Sequence, residues 1–255
     1  ALNTQNLPDP VIKKPNQYMD AVLYTGNGSA NSYTSLNFQP DFLWSKSRSN
    51  TPYHYLMDDV RGTTKYLNSN VTDAEGTLST TTVTFNSNGV AYNGPESGLN
   101  ANTQNYVNWL WKAGGAGGSS NTSGSITSTV SVNATAGFSI VTYTGTGANA
   151  TVGHGLGVAP KMVLFKRRNI AANWVVYHVS VGNTSALFLD STVAASASSV
   201  YFNNTSPTSS VFSVGTAVGV NNTSDTYVAY CFAAVAGYSA FGSYTGNGST
   251  DGPFV

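Results

Sequence analysis

Few side chains in this sequence are of a type and spacing that could do chemistry. The histidines are His54, His154 and His178, and the adjacent carboxylates are Asp58-Asp59. Neighbouring side chains on a strand point to opposite faces, so this pair cannot work together as acid and base if extended. Gly153-His154-Gly155-Leu156-Gly157 has the look of an active-site loop, because glycines around a histidine let a ligand approach the backbone. The same glycines serve equally as a connection into the strand at Met162, supplying positive φ. No second catalytic group stands at a recognisable spacing, so His154 is expected to hydrogen-bond locally. His178 ends an apolar strand and reads as a satisfied, partly buried histidine. There is no nucleophile elbow, HExxH, Walker loop or EF-hand loop. The expectation is no catalytic, metal or cofactor site, and no enzyme.

Two basic clusters fall at matching places, Lys46/Arg48 and Lys166/Arg167/Arg168. They could contact an anion or an acidic glycan. They could equally be charged strand ends that keep an edge from pairing promiscuously, and their recurrence with the fold favours that reading. Tyr53, Tyr55, Trp109 and Trp111 could stack on sugars. Trp109 and Trp111, however, share one face of a strand and are expected in the core, as are Tyr230 and Phe232. Cys231 lies in an apolar run and is expected to be a buried thiol, and a lone cysteine closes no disulfide within the chain.

The elements that carry these residues are announced by a repeat. Tyr24-Thr25-Gly26-Asn27-Gly28 returns as Tyr143-Thr144-Gly145-Thr146-Gly147 and as Tyr244-Thr245-Gly246-Asn247-Gly248. An aromatic and β-branched pair running into Gly-x-Gly is how a strand ends in a tight reversal. The copies stand at the spacing of whole domains in tandem. Phe38–Arg48 and Val158–Arg168 match, each with a proline, an apolar run and a basic exit, and Asn105–Trp111 matches Thr226–Phe232. His54-Tyr55-Leu56-Met57-Asp58 corresponds to Trp174-Val175-Val176-Tyr177-His178, and Lys65-Tyr66-Leu67 to Leu187-Phe188-Leu189. Pro40 is expected to superimpose on Pro160, and Tyr106 on Tyr227.

The 255 residues suffice for two domains with their own cores. Only 9% are charged and the formal net charge is zero, which argues against a nucleic-acid partner and an electrostatic membrane anchor. The 12% of aromatic residues can build cores, so disorder is not expected. No apolar run approaches the ~20 residues of a membrane span, and no signal pattern opens the chain. N-x-S/T triplets, at Asn27, Asn70, Asn133, Asn149, Asn183 and Asn222 among others, arise by chance in so polar a sequence.

Residues 1–20, with Pro8, Pro10 and Pro15, read as an extended arm. Short apolar runs separated by Gly, Asn and Ser then mark antiparallel sandwiches. The first occupies 21–113, with strands at Ala21–Thr25, Phe42–Ser45, His54–Met57, Thr81–Phe85 and Tyr106–Trp111. A Gly/Ser segment, 114–125, reads as a flexible linker. The second sandwich spans 126–236, with strands at Phe138–Thr144, Met162–Lys166, Trp174–His178, Ala186–Leu189, Ser199–Phe202, Val211–Val214 and Tyr227–Ala233. Residues 237–255 open a third module. Their strand, Gly237–Thr245, needs a sheet edge from elsewhere, since a lone strand leaves its backbone groups unpaired.

The run from Val152 through Pro160-Lys161-Met162, the Lys-Arg-Arg that follows and Trp174–His178 together resemble repeat modules in virion proteins of bacteriophages, notably marine and cyanobacterial phages. The resemblance extends from about residue 13 onward and implies concanavalin-like or tail-fibre-like domains in an extracellular particle. It transfers no catalytic residue. The combined expectation is an all-β chain of tandem antiparallel β-sandwiches, jelly-roll or concanavalin-like, with an extended N-terminal arm. The expected role is a non-enzymatic phage structural protein, a fibre or capsid-surface component. Its expected partners are other virion subunits, with homo-oligomerisation and contact with host glycans. The alternatives are a dedicated lectin module and a tailspike-type glycan depolymerase.

Overall fold

The computed structural model describes residues 9–253. Strands β1 (Met19–Thr25), β2 (Asn31–Tyr33), β3 (Phe42–Ser47), β4 (Tyr55–Asp58), β5 (Lys65–Tyr66), β6 (Gly76–Thr77), β7 (Thr82–Asn86), β8 (Gly89–Asn93) and β9 (Asn105–Trp111) build the first module. The second contains β10 (Ser119–Asn121), β11 (Ser128–Asn133), β12 (Phe138–Thr144), β13 (Ala150–Gly153), β14 (Met162–Arg167), β15 (Val175–His178), β16 (Ser185–Phe188), β17 (Ser196–Ala197), β18 (Val211–Val214) and β19 (Thr226–Phe232). Two single-turn helices, α1 (Ser199–Phe202) and α2 (Val218–Asn221), interrupt it.

The chain is an all-β sandwich fold. In the first module the sheet β1-β9-β3-β4 packs on β2-β8-β7 around Leu43, Val83, Tyr92 and Tyr106. In the second, β10-β11-β12-β19-β14-β15-β16-β17 packs on β13-β18 and the helices around Val163, Phe165, Phe202 and Phe212. The order β1-β9-β3-β4 recurs as β12-β19-β14-β15. Register recurs too: Tyr24 faces Tyr106 as Tyr143 faces Tyr227. Phe42 lies between Trp111 and Asp58, as Met162 lies between Phe232 and His178.

In its first two copies the repeated Tyr-Thr-Gly-x-Gly is a strand end clamped by a buried asparagine, whereas the third, Tyr244–Gly248, is exposed and lies in no strand. Asn100 Nδ2 donates to the carbonyls of Ser29 and Gly94, and its Oδ1 accepts from Asn27 N–H. Asn221 does the same in the second module, with Ala148, Gly215 and Thr146 N–H. The tyrosines stack in pairs, with ring centroids 5.1 Å apart for Tyr24–Tyr106 and 5.2 Å for Tyr143–Tyr227. A Cβ at Gly26 or Gly145 would collide with the carbonyl of Ala101 or Asn222. Gly28 and Gly147 have φ of 69° and 75°, where a side chain is strained.

Several expectations change. Trp109 and Trp111 are half-buried on the outer face of β9, because Tyr106, Asn108 and Leu110 take the inward positions. Asn108 can sit inside because its Nδ2 donates to Tyr92 Oη, 2.6 Å. Ser199–Phe202 is a helical turn rather than a strand: Ser198 accepts from Val200 N–H, and Asn203 ends the turn at φ 50°. Leu187, not Leu189, matches Leu67, since each crosses its neighbouring strand at the same step. The Gly/Ser segment is not free, for Ser119–Asn121 pairs with β11 at the sheet edge. Of the N-terminal arm, residues 1–8 lie outside the described residues. Beyond them, Ile12 is buried and Pro15–Gln17 forms a 3-10 turn. Within 237–253 pairing is limited to a bridge from Val235 to Ser239. The strand that ends in Tyr-Thr-Gly pairs with the last strand of its module, β1 with β9 and β12 with β19, and among the described residues this segment has no such partner.

A third core fills the space between the modules, so the long sheet is buried on both faces. Asn221→Ala strips partners from the buried Gly215 carbonyl, the Ala148 carbonyl and the Thr146 N–H. It is expected to cost about 2–4 kcal/mol in denaturant unfolding; a cost under about 0.5 kcal/mol, the scale of an ordinary surface change, contradicts the clamp.

Candidate functional site

The outer faces of the two main sheets meet different surroundings. That of the second module is covered by Phe42 and residues 56–75 of the first module. Phe42, Leu56 and Leu67 pack against Phe138, Leu164, Trp174 and Tyr230. The charged groups of Asp58, Arg61, Glu75 and Arg168 inside this contact are paired. Arg61 donates to Asp58 (2.6 Å), Glu75 (3.0 Å), the Leu56 carbonyl (2.9 Å) and Tyr230 Oη (3.0 Å). Tyr230 Oη donates to Asp58, 2.7 Å. Arg168 reaches across to Glu75 through Nε (2.8 Å) and Nη2 (3.0 Å). Burial pushes the Glu75 carboxyl up, but hydrogen bonds and charge from Arg168 and Arg61 outweigh it and hold it low. Trp174 Nε1 donates to the Asn68 carbonyl, 2.8 Å.

The corresponding face of the first module is only partly open, since Phe42 and Leu56 on it are buried in that contact. Met19, Trp44, His54, Trp109 and Trp111 line an apolar depression of about 380 Å³. Trp44 and Trp109 meet edge to face at 6.5 Å, and Trp44 Nε1 donates to His54 Nδ1, 2.9 Å. Burial, then the Lys46 charge, lowers the His54 pKa, which keeps the ring neutral so that Nδ1 can accept. The same framework sets both faces: Asn70 Oδ1 accepts from His54 N–H, and Asp190 Oδ1 from Trp174 N–H, each at 3.1 Å.

The sequence-derived candidates do not gather into one site. His154 is fully buried, accepting from Leu156 N–H and donating through Nε2 to the Thr208 carbonyl, each at 3.2 Å. His178 Nδ1 accepts from Ser180 N–H. Asp58 and Asp59 diverge, one to Arg61 and the other to Gly117 N–H. The basic clusters are not edge guards, because β3 and β14 are interior strands. Lys166 is fully buried under the first module, with Nζ donating to the carbonyls of Thr72 (2.8 Å) and Ala172 and lying 6.0 Å from the Trp174 ring centre. Burial lowers its pKa to about 8. Arg167 pairs with Asp225, and Lys46 bonds the Ser47 and Asn50 carbonyls. Tyr53 is exposed, while Tyr55 donates to Glu96, 2.9 Å. Burial pushes the Cys231 thiol up to about 12. Sequence reading missed Trp44, His54 as its partner, and Arg61. The matched alternation of β3 with β14 could have shown Trp44 on the outer face.

Among the described residues no cluster of three His, Cys, Asp or Glu side chains could hold a metal ion, and no helix is long and apolar enough to cross a membrane. Fold and faces define an all-β chain of two sandwiches locked sheet to sheet, with part of one aromatic face left open. The chain belongs to the family described as Domain of unknown function (DUF7483), whose model matches residues 14–255. No curated protein and no solved structure matches it.

Asp59 supplies a pH test of the module junction. Burial first, then the neighbouring Asp41 and Asp58 charges, raises its pKa to about 7. The folded state therefore favours the protonated form. Stability from this group is full below the ordinary value of 3.8 and is lost as pH rises through about 7. Asp59→Asn is expected to raise the melting temperature above neutral pH and to leave it unchanged in acid. An equal shift at both ends of the range contradicts this.

Proposed function

We propose that the chain is a non-enzymatic structural component of a bacteriophage-type virion, carried on a fibre or the capsid surface. The observation that carries this reading is the sheet-to-sheet contact between modules. A buried apolar core with every Arg61 nitrogen paired makes two sandwiches one stiff unit, as a load-carrying particle component requires. The uncharged, Ser-, Thr- and Asn-rich composition suits an extracellular particle surface, and the repeat resembles phage virion modules.

Catalysis is not part of the proposal. Asp58 and Glu75 are committed to arginines, Asp225 to Arg167, and Asp41 to Ala113 N–H, so they do not flank a groove as a glycosidase pair would. The exposed tryptophan rings favour a second reading, glycan binding by stacking. The depression, however, is lined by rings and a thioether, with no carboxylate or carboxamide among its described residues to bond sugar hydroxyls, and His54 Nδ1 is taken by Trp44. A protein surface fits it better.

Immunogold labelling of intact particles with antibody to residues 21–236 is expected to decorate a fibre or the capsid surface. Label confined to the particle-free fraction overturns the structural reading. Release of reducing ends from host polysaccharide by the purified chain, abolished by changing one carboxylate, would establish the depolymerase instead.

A further inference from the structure

The run Tyr-Thr-Gly-Asn-Gly-Ser stands twice in this chain, at 24–29 and at 244–249. Both asparagines, Asn27 and Asn247, precede a glycine and have exposed side chains. Both close the same local turn. The side-chain oxygen accepts from Ser29 N–H (2.9 Å) or Ser249 N–H (3.0 Å), and Nδ2 donates to the carbonyl of Ala30 (3.2 Å) or Asp251 (3.0 Å). The main chain around them is what differs. At the first site Asn27 N–H donates to Asn100 Oδ1 (3.2 Å) and Gly28 N–H to the Asn100 carbonyl (2.8 Å). At the second, Asn247 N–H and Gly248 N–H have no partner among the described residues. A Cβ at Gly246 or Gly248 would meet nothing within 4 Å.

An asparagine before a glycine can react with its own main chain. The glycine amide nitrogen gives up its proton and attacks the side-chain carbonyl carbon. A C–N bond forms there, and the side-chain nitrogen leaves as ammonia. Water then opens the cyclic imide at either carbonyl, leaving aspartate or isoaspartate. Glycine favours the closure because it has no Cβ to crowd the attacking nitrogen. That nitrogen must also swing onto the side chain, and at the first site its N–H is pinned to Asn100. The other Asn-Gly pairs are held as well. Gly89 pairs with Asn86 and Asn93 with Thr82 across the β7–β8 hairpin, and the Gly94 carbonyl accepts from Asn100 Nδ2.

We infer that Asn247 is a site of spontaneous deamidation, and that the asparagine clamp protects the identical Asn27 from it. Asp251 is the one charged side chain in 237–253, so conversion adds a second negative charge to this segment. In the isoaspartyl product the main chain runs through the side-chain carbon and is one atom longer. The aged third copy then no longer matches the turn that Asn100 clamps in the first. The inference is independent of the virion reading, because it concerns the chemistry of the purified chain and not its location.

Peptide mass mapping of the full chain, sampled over days in warm, mildly alkaline buffer, tests it. The amide-to-acid mass change is expected at Asn247 first, about tenfold or more faster than at Asn27. The reason is that Asn27 reacts only while its hydrogen-bonded turn is transiently open. In denaturant the two sites are expected to convert at one rate, because the clamp is gone and their flanking residues are the same. Labelling by an isoaspartyl methyltransferase is expected in the Asn247 peptide. Gly248→Ala changes an exposed residue outside every strand and helix. It is expected to slow conversion at Asn247 and to leave Asn27 unchanged. An Asn247 that persists as long as Asn27 in the native chain overturns the inference. So does a difference that survives in denaturant, which would place its cause outside the clamp, or conversion at Asn247 that Gly248→Ala does not slow.

Discussion

The buried guanidinium of Arg61 is the constraint on which the arrangement of the two sandwiches depends. It sits where the sheets meet, and burial alone would lower its pKa; Asp58, Tyr230 and Glu75 outweigh that and hold it charged. A charge taken out of water in this way is tolerated only when its partners are fixed in place. Here they come from three elements of two modules: Asp58 at the end of β4, Glu75 just before β6, and Tyr230 on β19. Any sliding of one sheet over the other would strand a charge, at about 3–5 kcal/mol. The apolar core supplies most of the attraction, and the charges choose one position within it.

From that lock follows a division of labour between identical backbones. The two modules share strand order and register, yet the outer face of the second is an interior, whereas that of the first is buried at Phe42 and Leu56 and opens into a depression at Trp44 and Trp109. Leu164 and Tyr230 in the covered copy stand where Trp44 and Trp109 stand in the open one. His54, in the open copy, is held neutral as an acceptor for Trp44, whereas Trp174 in the same position donates across to the first module. Residue choice at these positions tracks what covers them, because the backbone is the same.

Much of this was legible in the sequence. The Tyr-Thr-Gly-x-Gly copies marked homologous strand ends, and apolar runs marked most long strands, because a half-buried strand writes its period directly into its residues. Short strands such as β2, β10 and β17 were not legible, since their pairing is set by neighbours and not by apolar content. Trp109 and Trp111 were misplaced for a definite reason. Their strand alternates large residues on both faces, and Asn108, which looks solvent-facing, is an inward residue held by Tyr92. Ser199–Phe202 alternates like a strand, but flanking Ser198 and Asn203 cap a helical turn. Lys166, Arg168 and Glu75 could not be matched from sequence, because salt bridges between modules leave no spacing rule.

The central claim is that the two sandwiches form one cooperative body rather than two beads on a Gly/Ser string. Scanning calorimetry of the whole chain tests it most directly. The account predicts a single transition whose calorimetric and van't Hoff enthalpies agree, because melting either sandwich uncovers the shared core and strands the Arg61 charge. Two resolved transitions, each carrying about half the enthalpy, would contradict it.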